Sequence, residues 1–178
     1  MYNSKIIGVG HYVPDNVVTN DDLTQFMDTS DEWIKERTGI EQRRWIKDES
    51  TETTATMGVE AAKIAIERSG LNKDDIDFIV FATLSPDYYF PGPGVQVQEA
   101  LNIKTVGAID VRNQCSGFVY GLSVADQFIK TGMYKNVLVI GSELQSRGID
   151  KSTRGRNISV IFGDGAGAVV MSREEDAS

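Results

Sequence analysis

Residues 105–130 read TVGAIDVRNQCSGFVYGLSVADQFIK. Val106–Val111 is a short apolar run with β-branched residues, bounded by turn chemistry, and predicts a strand. Asn113-Gln114-Cys115-Ser116-Gly117 predicts a tight corner, and Phe118–Lys130 a helix. The helix is apolar at Phe118, Val119, Leu122, Val124, Ala125, Phe128 and Ile129. Those positions cover most of its circumference, so it is expected to be buried. Cys115 then stands at or just before the N-terminus of a buried helix. Unpaired N–H groups and the positive end of the helix dipole favour a thiolate there. The thiolate is the nucleophile, and the same N–H groups can hold an oxyanion when it attacks a carbonyl. A lone cysteine without such a setting is a small buried hydrophobe. The strand–corner–helix placement sets the nucleophile beside that reading.

The 178 residues suffice for one domain with a substantial core. A single Cys excludes an internal disulfide framework and fits a reducing compartment. No apolar run approaches a membrane span and the N-terminus lacks a signal peptide's apolar segment, so a cytoplasmic location and no membrane partner are expected. The net charge of −8 argues against nucleic-acid binding. Within that acidic chain, Lys35–Lys47 carries five basic residues against two acidic, and Arg147–Arg156 four against one. Two basic islands suggest a local anion site. Solvated loops are the plainer explanation for either island alone.

Lys5–Val13 predicts a first strand, ended by Pro14-Asp15-Asn16. Its Gly8-Val9-Gly10 resembles the start of a dinucleotide fingerprint, but no third Gly follows at the required spacing. His11, the one histidine, is a candidate base by residue type alone. Thr19-Asn20-Asp21-Asp22 opens a short helix through Met27. Thr29-Ser30-Asp31-Glu32 has capping-box spacing, with Thr29 at N-cap and Glu32 at N3, and Gly39 is a helix stop. Trp33 and Arg37 are four apart and share a helix face, an arrangement that suits a purine ring with a nearby phosphate. A cation–π pair that merely closes the helix on its neighbours would use the same residues.

Ile40–Ile46 predicts a strand and Thr53–Ser69 an amphipathic helix stopped by Gly70. Asp77–Leu84 is nearly continuously apolar, as a strand covered on both faces should be. Ser85–Gly94 is a loop whose Tyr88, Tyr89 and Phe90 are typical of an interface or ligand contact. Val95–Leu101 predicts a helix, and Asn136–Gly141 another buried strand. Asn157–Phe162 and Ala166–Met171 predict two more strands, joined by Gly163-Asp164-Gly165 as a hairpin turn. Gly163-x-Gly165-x-x-Ala168 is not taken as a phosphate cradle, because no helix opens after it. Alternating strands and helices with doubly buried strands predict an α/β layered fold with a polar tail over Arg173–Ser178.

Three groups of residues carry a resemblance. They are Thr29–Ile34 with Arg37–Ile40, Cys115–Phe118 with Ala125–Gln127, and Phe162–Ala168. Together the chain resembles the N-terminal half of ketoacyl-ACP synthase III, of the thiolase-like superfamily. The resemblance implies a layered thiolase-like half over residues 1–178, a mixed sheet with a buried nucleophile-bearing helix, whose second half is absent. It implies that Cys115 takes a short acyl group, acetyl in the first instance, from acyl-CoA as a thioester. The acyl-enzyme would condense with malonyl-acyl carrier protein and so initiate fatty acid biosynthesis. Coenzyme A thioester enters as substrate, with no resident cofactor and no metal. By motif match Trp33 would stack on the CoA adenine, with Thr29 and Arg37 at the adenine and phosphate end. A second arginine of the family sits on the adenine's other face. Arg154 matches it in the Asp150–Gly155 stretch and is preferred; counting back from Phe162 gives Arg156. Phe90 matches a loop phenylalanine that reaches across a homodimer into the partner's acyl pocket. The family's catalytic His and Asn lie in the half that this chain lacks, and His11 does not match either. Two alternatives remain: a related thiolase-like condensing enzyme for another acyl-CoA, and a non-catalytic CoA-binding or dimerisation module.

Overall fold

The computed structural model describes residues 1–47 and 51–174. In chain order the elements are β1 (Asn3–Tyr12), β2 (Val17–Thr19), α1 (Asn20–Leu23), α2 (Asp31–Thr38), β3 (Gln42–Arg44), α3 (Thr54–Ser69), β4 (Phe78–Ala82), α4 (Pro93–Leu101), β5 (Gly107–Val111), α5 (Gly117–Lys130), β6 (Asn136–Leu144), α6 (Arg156–Ser159) and β7 (Asp164–Glu174). Five strands make one mixed sheet in the order β1-β7-β6-β4-β5. β4 pairs in parallel with both β5 and β6, while β7 runs antiparallel to β6 and to β1. β7, last in sequence, thus lies between the first strand and the centre. β2 and β3 form a separate two-stranded ribbon.

The apolar runs account for this centre. All five residues of β4 are buried, and Val137–Ile140 of β6 are fully so. Their side chains alternate between two cores, as a strand's period of two requires. Ile79, Phe81, Leu138 and Ile140 meet Ala61, Ala65 and Val97 of α3 and α4 on one face. Phe78, Val80, Val137 and Val139 meet Ala125 and Ile129 of α5 on the other. α3 opens on a capping box between Thr53 and Thr56 and closes on Gly70 at φ +73°. Gly8 and Gly10 let β1 lie directly against α3, since a Cβ at Gly10 would run into the Ala61 carbonyl oxygen. Close packing, not nucleotide binding, explains that Gly-x-Gly. A third cluster of Val18, Leu23, Met27, Ile34, Trp45 and Val160 joins the ribbon and α2 to α6.

Several expectations change. α5 is not buried all round: one face packs on the sheet, while Val119 and Tyr120 are 61% and 54% exposed. Asn157–Phe162 is not a strand. A 3₁₀ turn at Thr153–Gly155 leads into α6, where Gly155 sits on the Asp150 carbonyl and Ser159 Oγ donates to that same oxygen at 2.5 Å. These tertiary contacts curl a run whose β-branched residues favour extension. No hairpin exists at Gly163-Asp164-Gly165, because β7 already begins at Asp164. Ser30, not Thr29, caps α2, accepting from the Trp33 N–H at 3.1 Å. α1 ends at Leu23, and the chain reaches Met27 in turns. The strand expected over Ile40–Ile46 is reduced to β3. Arg173 and Glu174 belong to β7, and the rest of the expected polar tail lies outside the described residues.

Candidate functional site

β5 ends at Val111, and a 3₁₀ turn over Gln114–Ser116 hands the chain to α5. Gln114 has φ +46°, a left-handed conformation that costs a non-glycine residue about 1–3 kcal/mol. This corner turns Cys115 outward, and its side chain is exposed. The buried-hydrophobe alternative is thereby removed. Ser116 makes no side-chain cap bond to α5, so the N–H groups of the first turn are not satisfied by a side-chain cap.

Cys115 lines a cavity of about 470 Å³ with Ala82, Leu84, Phe118, Glu143 and Phe162. Its lining is mostly apolar, with Gln114, Ser142, Glu143 and Gln145 as polar members. That carboxylate is fully engaged: it accepts from the Leu84 N–H at 2.8 Å, Ser85 Oγ at 2.6 Å and Gln145 Nε2 at 3.0 Å. It holds the start of the Ser85–Gly94 loop against β6. Asp87 anchors the same loop on α3, accepting from the Thr54 and Ala55 N–H groups at 3.0 and 2.8 Å. Between these anchors and α4 the loop projects Tyr88, Tyr89 and Phe90, with Phe90 92% exposed and outside the Cys115 cavity. At the cavity floor, Phe162 precedes Asp164, a buried carboxylate accepting from the Ile46 N–H, the Ser146 N–H and Ser146 Oγ.

The second cluster lies beyond that floor, where Trp45 Nε1 donates to the Phe162 carbonyl at 3.1 Å. Trp33 stands between two guanidiniums, Arg37 4.5 Å and Arg156 4.4 Å from its ring centroid. The residues at Trp33 and Arg37 do share a face. Arg154 points elsewhere: its side chain is 90% exposed and grips Asp150 at 2.8 and 2.9 Å. The Ser152 hydroxyl and N–H, and then Arg154, hold the Asp150 carboxyl down at about 2. Arg156 also donates from Nη1 to the Asp28 carbonyl at 2.6 Å. Thr29 Oγ1 is buried without a hydrogen-bond partner. His11 is exposed on β1, opposite Gly167. Among the described residues no group of three or more His, Cys, Asp or Glu could hold a metal ion, and no helix is long and apolar enough to cross a membrane. Sequence reading missed the Arg156 stack and the engagement of Glu143. The first had a signal, the count back from Phe162; the second rests on contacts about 60 residues apart in sequence.

The family described as 3-oxoacyl-[acyl-carrier-protein] synthase III matches residues 109–178. Among curated proteins, the chain is 52% identical over 169 residues to β-ketoacyl-[acyl-carrier-protein] synthase III 1 of Bacillus anthracis, covering 95% of this chain and 53% of that protein. The Aquifex aeolicus synthase III structure superposes with a TM-score of 0.92 at 50% identity, over 97% of this chain and 55% of that one. The priming β-ketosynthase of the R1128 polyketide pathway gives 0.92 at 34% identity, over 98% and 51%. The mixed sheet with a nucleophile-type corner leading into an inner helix is the thiolase-like α/β fold. Within that class, the chain is similar in sequence and fold to one half of the β-ketoacyl-acyl-carrier-protein synthase III proteins. It spans about half the length of the curated relatives that it matches.

Proposed function

We propose that this chain is the nucleophile-bearing N-terminal half of an acyl-CoA to malonyl-acyl-carrier-protein condensing enzyme. The observation that carries the reading is Cys115, exposed in an apolar cavity at the uncapped start of α5. Its thiolate attacks the acyl-CoA carbonyl, the first-turn N–H groups hold the oxyanion, and coenzyme A leaves as its thiol with the proton given up by Cys115. The acyl group then rests on Cys115 as a thioester. Condensation follows when decarboxylation of malonyl-acyl carrier protein supplies the carbanion.

Adenine would stack on Trp33 by displacing one of the guanidiniums that lie over its ring, with Arg37 and Arg156 then supplying charge for the phosphates. Arg156 replaces Arg154 as the second arginine, because Arg154 is committed to Asp150. Thr29 is kept at the adenine end by the resemblance; its Oγ1 has no protein partner but is buried, so bonding the ligand would require it to be uncovered. Phe90 serves a homodimer partner's pocket, an assignment supported by its exposure at the tip of an anchored loop. A second reading, a related condensing enzyme for another acyl-CoA, is favoured by the equal likeness in fold to a priming β-ketosynthase. The test is incubation with acetyl-CoA followed by peptide mass spectrometry. An acetyl adduct on Cys115, absent in Cys115→Ser, is expected; no adduct on a folded chain would reject the nucleophile.

A further inference from the structure

We infer that Arg43, acting through Asn20, is the positioning residue that holds α2 against α6 and so sets the Arg37–Trp33–Arg156 stack. Its functional meaning rests on the coenzyme A reading above, while the geometry stands without it. Arg43 comes from the middle of β3 and is 6% exposed. Its guanidinium reaches three acceptors on two pieces of chain, residues 18–20 and Val160. Nη1 donates to the Val18 carbonyl of β2 at 3.3 Å. Nη2 donates to Asn20 Oδ1 at 2.7 Å and to the Val160 carbonyl, at the C-cap of α6, at 3.1 Å. Asn20, 1% exposed, carries the connection onward. Its Nδ2 donates to Asp31 Oδ1 in the first turn of α2 at 2.9 Å and to the Ile40 carbonyl just beyond that helix at 2.7 Å. A buried path of two side chains thus runs from the end of the helix that Arg156 begins to both ends of the helix that carries Trp33 and Arg37.

None of the three acceptors is a carboxylate, and burial pushes the Arg43 pKa down. An apolar side chain would fill this volume without that desolvation. What the guanidinium adds is a rigid planar fork, several donors at fixed angles, which a lysine ammonium on a flexible stem cannot reproduce. The outer ties between the same elements, Arg156 to the Asp28 carbonyl and the Asp28 N–H to Thr153 Oγ1, are exposed to competing water. The inner path is the one sheltered from that competition.

A Trp45→Phe background leaves Trp33 as the sole indole of the chain's two. In it, Arg43→Lys should raise acrylamide quenching of Trp33 about twofold as the guanidiniums loosen from the ring. Coenzyme A binding by titration calorimetry should weaken about tenfold. Asn20→Ser should do the same, and serves if Arg43→Lys does not fold. Leu23→Val, a packing change in the same cluster, should lower the melting temperature and leave both readouts in place. Unchanged quenching in a folded Arg43 or Asn20 variant overturns the positioning role, as does an equal response from Leu23→Val. Raised quenching with unchanged coenzyme A affinity also overturns it. Raised quenching where the parent chain binds no coenzyme A supports the positioning and defeats the coenzyme A reading instead.

Discussion

At Cys115 the unusual feature lies in the backbone one residue earlier. Gln114 holds φ +46° so that the thiol faces outward where a strand gives way to a helix. Gln114→Gly should therefore be tolerated, whereas the β-branched Gln114→Val should lose about 1–3 kcal/mol in urea denaturation. In the folded chain iodoacetamide should modify Cys115, and Cys115→Ser should abolish the labelling; a thiol that resists alkylation would count against the nucleophile. The two candidate arginines are separable at the same scale. Trp33→Ala should weaken coenzyme A binding by about 1–3 kcal/mol, and Arg156→Ala by about 0.5–2 kcal/mol. Arg154→Ala should leave it near the parent value in the same calorimetric titration, since that side chain is held by Asp150. The strand–turn–helix placement of Cys115 and the Trp33–Arg37 face were readable from residue type and spacing alone. Choosing between Arg154 and Arg156 was not, because two residues' difference in register decides which guanidinium meets the ring, and only packing fixes the register.

Between elements, α5 is tied to the distant edge of the sheet by the Tyr2 N–H, which donates to the Lys130 carbonyl at 3.2 Å, and by the neighbouring Ser4 Oγ, which donates to Asp126 Oδ1 at 2.5 Å. That bond, and then Lys130 and Gln127, hold the Asp126 carboxyl below the usual range against partial desolvation. A carboxylate with a lowered folded pKa stabilises the fold fully above its unfolded value of about 3.9, and the contribution disappears as pH falls through the folded value. The gap in melting temperature between parent and Ser4→Ala should accordingly be widest near neutrality and close as pH drops below about 4. A gap that persists undiminished at low pH would mean that Asp126 is not the partner that matters. The central elements were legible because their signals are local and redundant: continuous apolar runs for β4 and β6, cap residues at both ends of α3. The errors have non-local causes. The run Asn157–Phe162 carries Ile158, Val160 and Ile161, yet contacts with Asp150 wind it into α6. α5 has an apolar girth, but nothing in its periodicity states that Val119 and Tyr120 find no neighbour within these residues.

Across the molecule, α5 leaves an apolar side exposed at Val119 and Tyr120. If a second thiolase-like half belongs on that face, the chain alone should bind 8-anilinonaphthalenesulfonate, and adding residues that supply the second half should suppress the fluorescence. The resemblance assigns proton handling and stabilisation of the enolate oxygen to a second half, and each is worth about 10²–10⁴-fold, so on the proposed reading malonyl-acyl-carrier-protein condensation by residues 1–178 should fall below detection and return with that half. Condensation by this chain at a full-length enzyme's rate would sink that division of labour. The place of β7 in the sheet has a different consequence, one of timing. On the ribosome the first strand emerges early, yet β7, its neighbour in the sheet, is not there until residues 164–174 are made. At ordinary elongation rates that wait is on the order of ten seconds, during which β1 has no hydrogen-bonded neighbour in the sheet. A nascent chain halted just before Asp164 would hold β4, β5 and β6, with β1 supported by α3 but by no strand. The sheet closes only when β7 is made.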